Sequence, residues 1–173
     1  MAHQKISAGD FLDRNRRRIT QFFRLFETVD LRAPELKRAM VNEIFMQLEI
    51  HAAIEDSVLY PLLEKYFGRK VAFESLKSMN EGMKRIPELK KINQEDPEFN
   101  RIFDGMIQNF ELHLREEQAE IALLARARED FFADLGTWMQ IHRDELLSKL
   151  KYPIAQPGVA QNPHSGHKRR KSV

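Results

Sequence analysis

Residues 44–61 read Ile44-Phe45-Met46-Gln47-Leu48-Glu49-Ile50-His51-Ala52-Ala53-Ile54-Glu55-Asp56-Ser57-Val58-Leu59-Tyr60-Pro61. Ile44, Leu48, His51, Glu55 and Leu59 recur at intervals of three and four, the period of one helix face. His51 and Glu55 therefore project side by side from the apolar stripe and not from the charged side. A second copy, Phe110-Glu111-Leu112-His113-Leu114-Arg115-Glu116-Glu117, lies on the stripe of Phe99, Ile102, Met106 and Leu124. Two helices that each turn a His/Glu pair inward predict an all-α bundle with a polar centre.

The same periodicity extends outward from about Ala8 to Leu150. A first helix opens after Ser7, where Asp10 completes a pattern resembling a capping box. It carries Ile19, Phe22, Phe23 and Phe26 on one stripe. Asp30 to Ala33 form a turn, and Pro34 suits the first turn of the second helix, where a missing N–H costs nothing. That helix is disturbed at Pro61 and stops at Gly68. A third spans roughly Lys70 to Ile92. Asp96-Pro97-Glu98 supplies a cap, a first-turn proline and an acid at the positive end of the next dipole, starting the fourth helix. A shorter fifth, about Phe131 to Leu150, carries Leu135, Trp138, Met139 and Leu146.

No strand pattern is present, and short loops between long helices make neighbours antiparallel. The expected architecture is an up-and-down four-helix bundle with a fifth C-terminal helix packed outside. Residues 1–152 form this domain. From Pro153 onward Pro, Gly, Ser, Asn and basic residues lack periodicity, and 153–173 reads as a disordered basic tail.

Composition removes several kinds of function. The 173 residues include no cysteine, which excludes disulfides, iron–sulfur clusters and thiolate zinc sites. No run approaches the roughly 20 apolar residues that span a bilayer, and the first eighteen residues hold no apolar segment of the signal-peptide kind. A cytoplasmic location and no membrane partner are expected. The net charge of +2 belongs to the tail: without Lys168, Arg169, Arg170 and Lys171 the chain has 24 basic against 26 acidic residues. Such a run gives weak, salt-sensitive attraction to polyanions and no specific nucleic-acid recognition. There is no Gly-rich phosphate loop and no nucleophile–base pair, so the reading is of a binding protein, without catalytic residues. No Glu stands three residues before a histidine, the arrangement ferritin-like bundles use. His142 reads as a surface residue, His3, His164 and His167 as terminal ones. Tyr60 and Tyr66 read as packing residues, with Tyr60 also a candidate hydrogen-bond donor toward the centre.

Two buried carboxylates and two buried imidazoles need compensation, since an unpaired buried carboxylate costs several kcal/mol, of order 2–5. Mutual His⁺–Glu⁻ pairing supplies it, and so does a cation. His51, Glu55, His113 and Glu117 are accordingly the candidate metal ligands. A single ion with two imidazoles and two carboxylates suits Fe(II), Mn(II) or Zn(II).

His-x-x-x-Glu-Asp-x-x-Leu-Tyr-Pro, from His51 to Pro61, resembles the signature of hemerythrin-like (HHE cation-binding) domains, and the resemblance extends from about Phe11 to Leu150. It implies a four-helix bundle of two helical hairpins around a non-haem di-iron site. It also implies a role in iron, dioxygen or nitric oxide handling or sensing, with a metal ion and a diatomic gas as partners. The second copy keeps His113 and Glu117 but ends in Ile121-Ala122-Leu123. Aligned with the family pattern, Arg16 and Met83 stand where two further histidines belong. The implied site is then mononuclear, or a weakened dinuclear one, with iron as the cofactor and manganese or zinc as substitutes. Pro87, four residues after Met83, predicts a bend in the third helix there. Arg16 either reaches solvent along its own stem or pairs with Glu55 or Glu117. In the latter case its guanidinium replaces a cation, and the chain is a metal-free bundle serving as a structural or protein-interaction module.

Overall fold

The computed structural model describes residues 6–28, 33–127 and 129–150. The Asp30–Arg32 part of the expected turn and the expected tail lie outside these residues. Helix α1 runs Ala8–Thr28. The Ser7 hydroxyl accepts from the Asp10 N–H at 3.1 Å and donates to the Asp10 carboxylate at 2.7 Å, closing the expected cap. Helix α2, Pro34–Ile54, begins with its proline in the first turn.

Pro61 does not end this rod. It continues through a π-helical turn, Glu55–Leu59, into α3, Tyr60–Phe67. The Tyr60 N–H reaches back to the Glu55 carbonyl, one residue further than an α-helix allows. One extra residue in the turn lets the chain pass the position where Pro61 lacks an N–H. The rod stops at Gly68, whose φ of 89° strains any residue with a β-carbon. Helix α4, Arg69–Met83, then gives way at Lys84 to the short α5, Arg85–Leu89, so the break falls where Pro87 predicts it. Helix α6, Pro97–Ala127, starts with the Glu98 N–H donating to the Asp96 carboxylate at 2.9 Å. Helix α7 is Glu129–Leu150.

The four rods α1, α2–α3, α4–α5 and α6 make the bundle, and α7 lies outside it against α1 and α2. Where α7 meets the start of α1, a β-carbon at Gly136 would sit 2.2 Å from the Ser7 carbonyl oxygen, so only glycine permits this approach. Trp138 departs from expectation. Leu135 and Met139 are buried, but Trp138 is 70 % exposed, one position off the stripe that docks.

The core has two parts. Towards the end of α1 and the starts of α2 and α6, Phe26, Phe45, Phe99 and Phe103 are buried together, with the Phe26 and Phe103 rings 4.7 Å apart. Each such ring contributes about 1.5–3 kcal/mol by leaving water. In the other part the core turns polar: Asn15, His51, Glu55, His113 and Glu117 are each at most 2 % exposed. A fold that places so many ionisable groups beyond the reach of water must supply partners for each.

Candidate metal centre

Helix periodicity carries His51 and Glu55 to the same inner face of α2 and its π turn, and α6 presents His113 opposite them. Glu55 is the hub. Its Oε2 accepts hydrogen bonds from His113 Nε2 at 3.0 Å and from the Tyr60 hydroxyl at 2.7 Å. Its Oε1 lies 3.4 Å from His51 Nε2, too far and too poorly aligned for either atom to have a hydrogen-bond partner. The π turn explains the tyrosine. Side chains five apart diverge on an α-helix, whereas the wider turn brings Tyr60 back over Glu55.

Donor atoms of His51, Glu55 and His113 all lie within 4.8 Å of one another. Glu117 is not a member of this convergent group. It is buried beside it, near enough for the Glu55 charge to act on its carboxyl, and its Oε1 is left without a partner. Two carboxyl groups so placed hold one proton between them. The environments decide where it resides. Burial opposes charge at Glu55, but the imidazoles of His51 and His113 and the hydrogen bonds from His113 and Tyr60 hold its carboxyl at about 2. Burial and the nearby Glu55 charge push Glu117 well above the usual carboxylate range, against the opposing charge of Arg16. Glu55 is the anion and Glu117 the acid.

The histidines divide in the same way. Burial pushes His51 down, and the neighbouring His113 adds to this against the pull of Glu55. Burial also works against His113, but its bond to Glu55 and the Glu55 charge raise it above the ordinary imidazole value. The positive charge that balances Glu55 therefore rests mainly on His113.

Each imidazole has a polar partner on its other nitrogen. The Asn15 side-chain amide lies 2.8 Å from His51 Nδ1, and the Ser78 hydroxyl 3.2 Å from His113 Nδ1. With Nδ2 turned to the ring, Asn15 donates to His51 and leaves its own Oδ1 buried without a partner. Turning the amide over lets Oδ1 accept the Nδ1 proton, which leaves the His51 Nε2 lone pair facing Glu55. Both amide positions fit the same space, and the second is the one that prepares a ligand.

Two alignment-based expectations change. Arg16 is not directed at Glu55. It pairs with Asp13, which also binds Arg17, and it stands in a cleft of about 240 Å³ whose wall includes Asp13 and Glu117. The α1 residue that reaches the centre is Asn15, on the Phe11–Ile19–Phe23 stripe at steps of four, a signal the sequence does carry. Met83 is only partly buried and lines an outer groove with Phe73 and Lys77. On α4 it is Ser78 that meets the centre, while Gly82 makes room for the Phe110 ring, which would lie 2.7 Å from an added β-carbon. His142 is a half-buried residue of α7 facing Glu145 at 3.8 Å, away from the centre.

The donor set fits a cation. Two imidazoles and a carboxylate converge in a dry site, with His51 Nε2, Glu55 Oε1 and Glu117 Oε1 all lacking partners. The family model described as the Hemerythrin HHE cation binding domain matches residues 8–125, more than half of the chain. No curated protein and no solved structure matches it. No helix among the described residues is long and apolar enough to cross a membrane.

Proposed function

The chain belongs to the hemerythrin HHE cation-binding family, and from that premise we propose that it holds one iron ion between α2 and α6. The supporting observation is the convergence of His51, Glu55 and His113 donor atoms within 4.8 Å. Two histidines and one carboxylate are the donor set of mononuclear non-haem Fe(II), and they also accept manganese or zinc. Glu117 is the fourth candidate ligand and shares the proton that leaves when a cation enters. Asn15 and Ser78 orient the imidazoles, and Tyr60 steadies Glu55. Bound iron would supply a redox-active centre with positions open to a diatomic ligand, which suits handling or sensing of iron, dioxygen or nitric oxide. The chain's own part is to exclude water, fix the imidazole tautomers and neutralise charge.

The test is metal analysis of the full-length protein purified and reconstituted without oxygen. About one equivalent of iron per chain is expected, and His113→Ala should lower affinity by more than the roughly 10–100-fold cost of losing an orienting partner. Background metal in the wild type after reconstitution with Fe(II), Mn(II) and Zn(II) overturns the reading. The His113–Glu55–Tyr60 network would then be the core of a metal-free interaction module.

A further inference from the structure

A second polar feature lies away from the metal centre, where α7 packs across α1 and α2. A cleft of about 540 Å³ opens there, within the range of small-molecule sites. Arg143 of α7 forms part of its wall. The residue is 8 % exposed, yet its Nε has no hydrogen-bond partner. Its Nη2 meets only the neutral Gln47 carbonyl oxygen, at a long 3.3 Å, and Nη1 stands 4.0 Å from the exposed Asp144 carboxylate. Glu43 does not neutralise it directly, because Gln47 intervenes and donates to Glu43 at 2.8 Å. Arg18 of α1 lines the same cleft and has no ion-pair partner among the described residues.

Two guanidinium groups and the single carboxylate of Glu43 leave this cleft with an excess positive charge, and the buried, under-bonded Arg143 costs stability unless a further anion meets it. Burial and the repulsion from Arg18 weaken the hold of Arg143 on its proton, against the smaller opposing pull of Asp144 and Glu43. Gln21, Gln47 and Glu43 supply the other polar atoms of the wall, and Phe22, Leu25, Met46 and Leu147 its apolar side. A ligand matching both parts has an anionic head and a short hydrocarbon body.

We propose that this cleft binds an amphipathic carboxylate, its head accepting hydrogen bonds from Arg143 and Arg18 and its aliphatic body lying on Phe22, Leu25, Met46 and Leu147. The planar guanidinium fork suits a carboxylate because two parallel N–H donors meet its two oxygens. Nothing in this site touches His51, Glu55 or His113, so its occupancy is measurable whether or not metal is bound.

Calorimetric titration of the full chain with sodium octanoate, below its micelle concentration, tests the assignment against octan-1-ol, acetate and octyltrimethylammonium. Octanoate is expected to saturate one site, with each of the others at least about tenfold weaker because each lacks either the anionic head or the body. Arg143→Met should weaken octanoate about tenfold or more, and Arg18→Gln by about three- to tenfold, as loss of charge-assisted bonds requires. Arg18 is exposed, so Arg18→Gln decides the matter if the core variant does not fold. No saturable octanoate binding, octanol binding as tightly as octanoate, or an unchanged affinity in Arg18→Gln each overturns the proposal.

Discussion

In the π turn that follows α2, Glu55 is an anion held by His113, Tyr60 and the nearby His51; on α6, Glu117 stands four residues after its histidine, as Glu55 does, and is the weaker acid. The difference originates in the residues C-terminal to each motif. After Glu55 the chain makes a π turn and returns a tyrosine hydroxyl to the carboxylate. After Glu117 the α-helix simply continues through Ile121-Ala122-Leu123, and no donor arrives. With one tyrosine and one mobile cationic charge, the core can stabilise one anion, and the proton stays on the other carboxyl. A repeated motif thus supplies matching side chains but not matching chemistry, because ionisation belongs to the pair.

Isosteric amides give the largest separation between the two halves. Glu55→Gln should destabilise the metal-free protein at pH 7 on the order of 3 kcal/mol, since it removes an anion whose carboxyl lies near 2 and leaves His113 without its counter-charge. Glu117→Gln should have the opposite sign. A carboxyl raised in the folded state contributes stability that is present below the unfolded value and lost as pH rises through the folded value. The amide cannot ionise, so the variant should be more stable than wild type above about pH 4.5 and indistinguishable from it below that value. Glu55 runs the other way: its contribution is present above its unfolded value and disappears as pH falls towards about 2. Chemical denaturation of the metal-free proteins between pH 3 and 8 reads all of this. Equal shifts of the same sign for the two amides would show that the proton is not localised.

Tyrosine is the next lever. Tyr60→Phe removes the donor that distinguishes the α2 half, and a hydrogen bond to a buried anion is worth about 1.5–3 kcal/mol. Its loss should raise the Glu55 carboxyl, bring the two acids closer in strength, and cost about 10–100-fold in metal affinity through an orienting partner. Competition with a chelator of known affinity measures this. Affinity unchanged in Tyr60→Phe would mean that the tyrosine serves packing alone.

Much of this is legible from residue order. The Ser7 and Asp96 caps, Pro34, Gly68 and the break before Pro87 are local chemistry, and local chemistry reads directly from sequence. His51, Glu55 and His113 are legible because their stripe is otherwise apolar. The π turn is not, because an inserted residue changes the phase of everything after it while leaving the composition untouched. Trp138 is deceptive for a related reason: with apolar residues at Leu135, Trp138, Met139 and Ile141, α7 offers two rival stripes, and only the partner surface chooses between them. Alignment to a family pattern singles out Arg16 and Met83, whereas Asn15 occupies the stripe and Ser78 the facing position. Asn15 is readable from its place on the Phe11–Ile19–Phe23 stripe, but the part-buried Ser78 has no such stripe and is identified by contact alone.

The smallest expected effects concern these two orienting partners, and they bear on whether the halves also differ in how firmly their imidazoles are held. Asn15 is 2 % exposed and sits at 2.8 Å from His51, whereas Ser78 is only part-buried and stands at 3.2 Å from His113. His113 already has a strong second bond to Glu55, but His51 has no hydrogen bond beyond the one to Asn15. Ser78→Ala should therefore cost no more than the roughly 0.5–1.5 kcal/mol of an ordinary hydrogen bond, and less where water replaces the hydroxyl. Asn15→Ala leaves a buried imidazole nitrogen unsatisfied and should cost about 1–3 kcal/mol. In metal affinity the order should be the same, because a histidine without an orienting bond is free to rotate its lone pair away. Arg16→His, one residue along α1, should leave metal stoichiometry unchanged, since that position pairs with Asp13 at the mouth of a cleft and not with the imidazoles. If Ser78→Ala proved the more damaging of the two, His113 would owe its position to α4 more than to Glu55. The Glu55 carboxylate would then not be the hub that organises both halves.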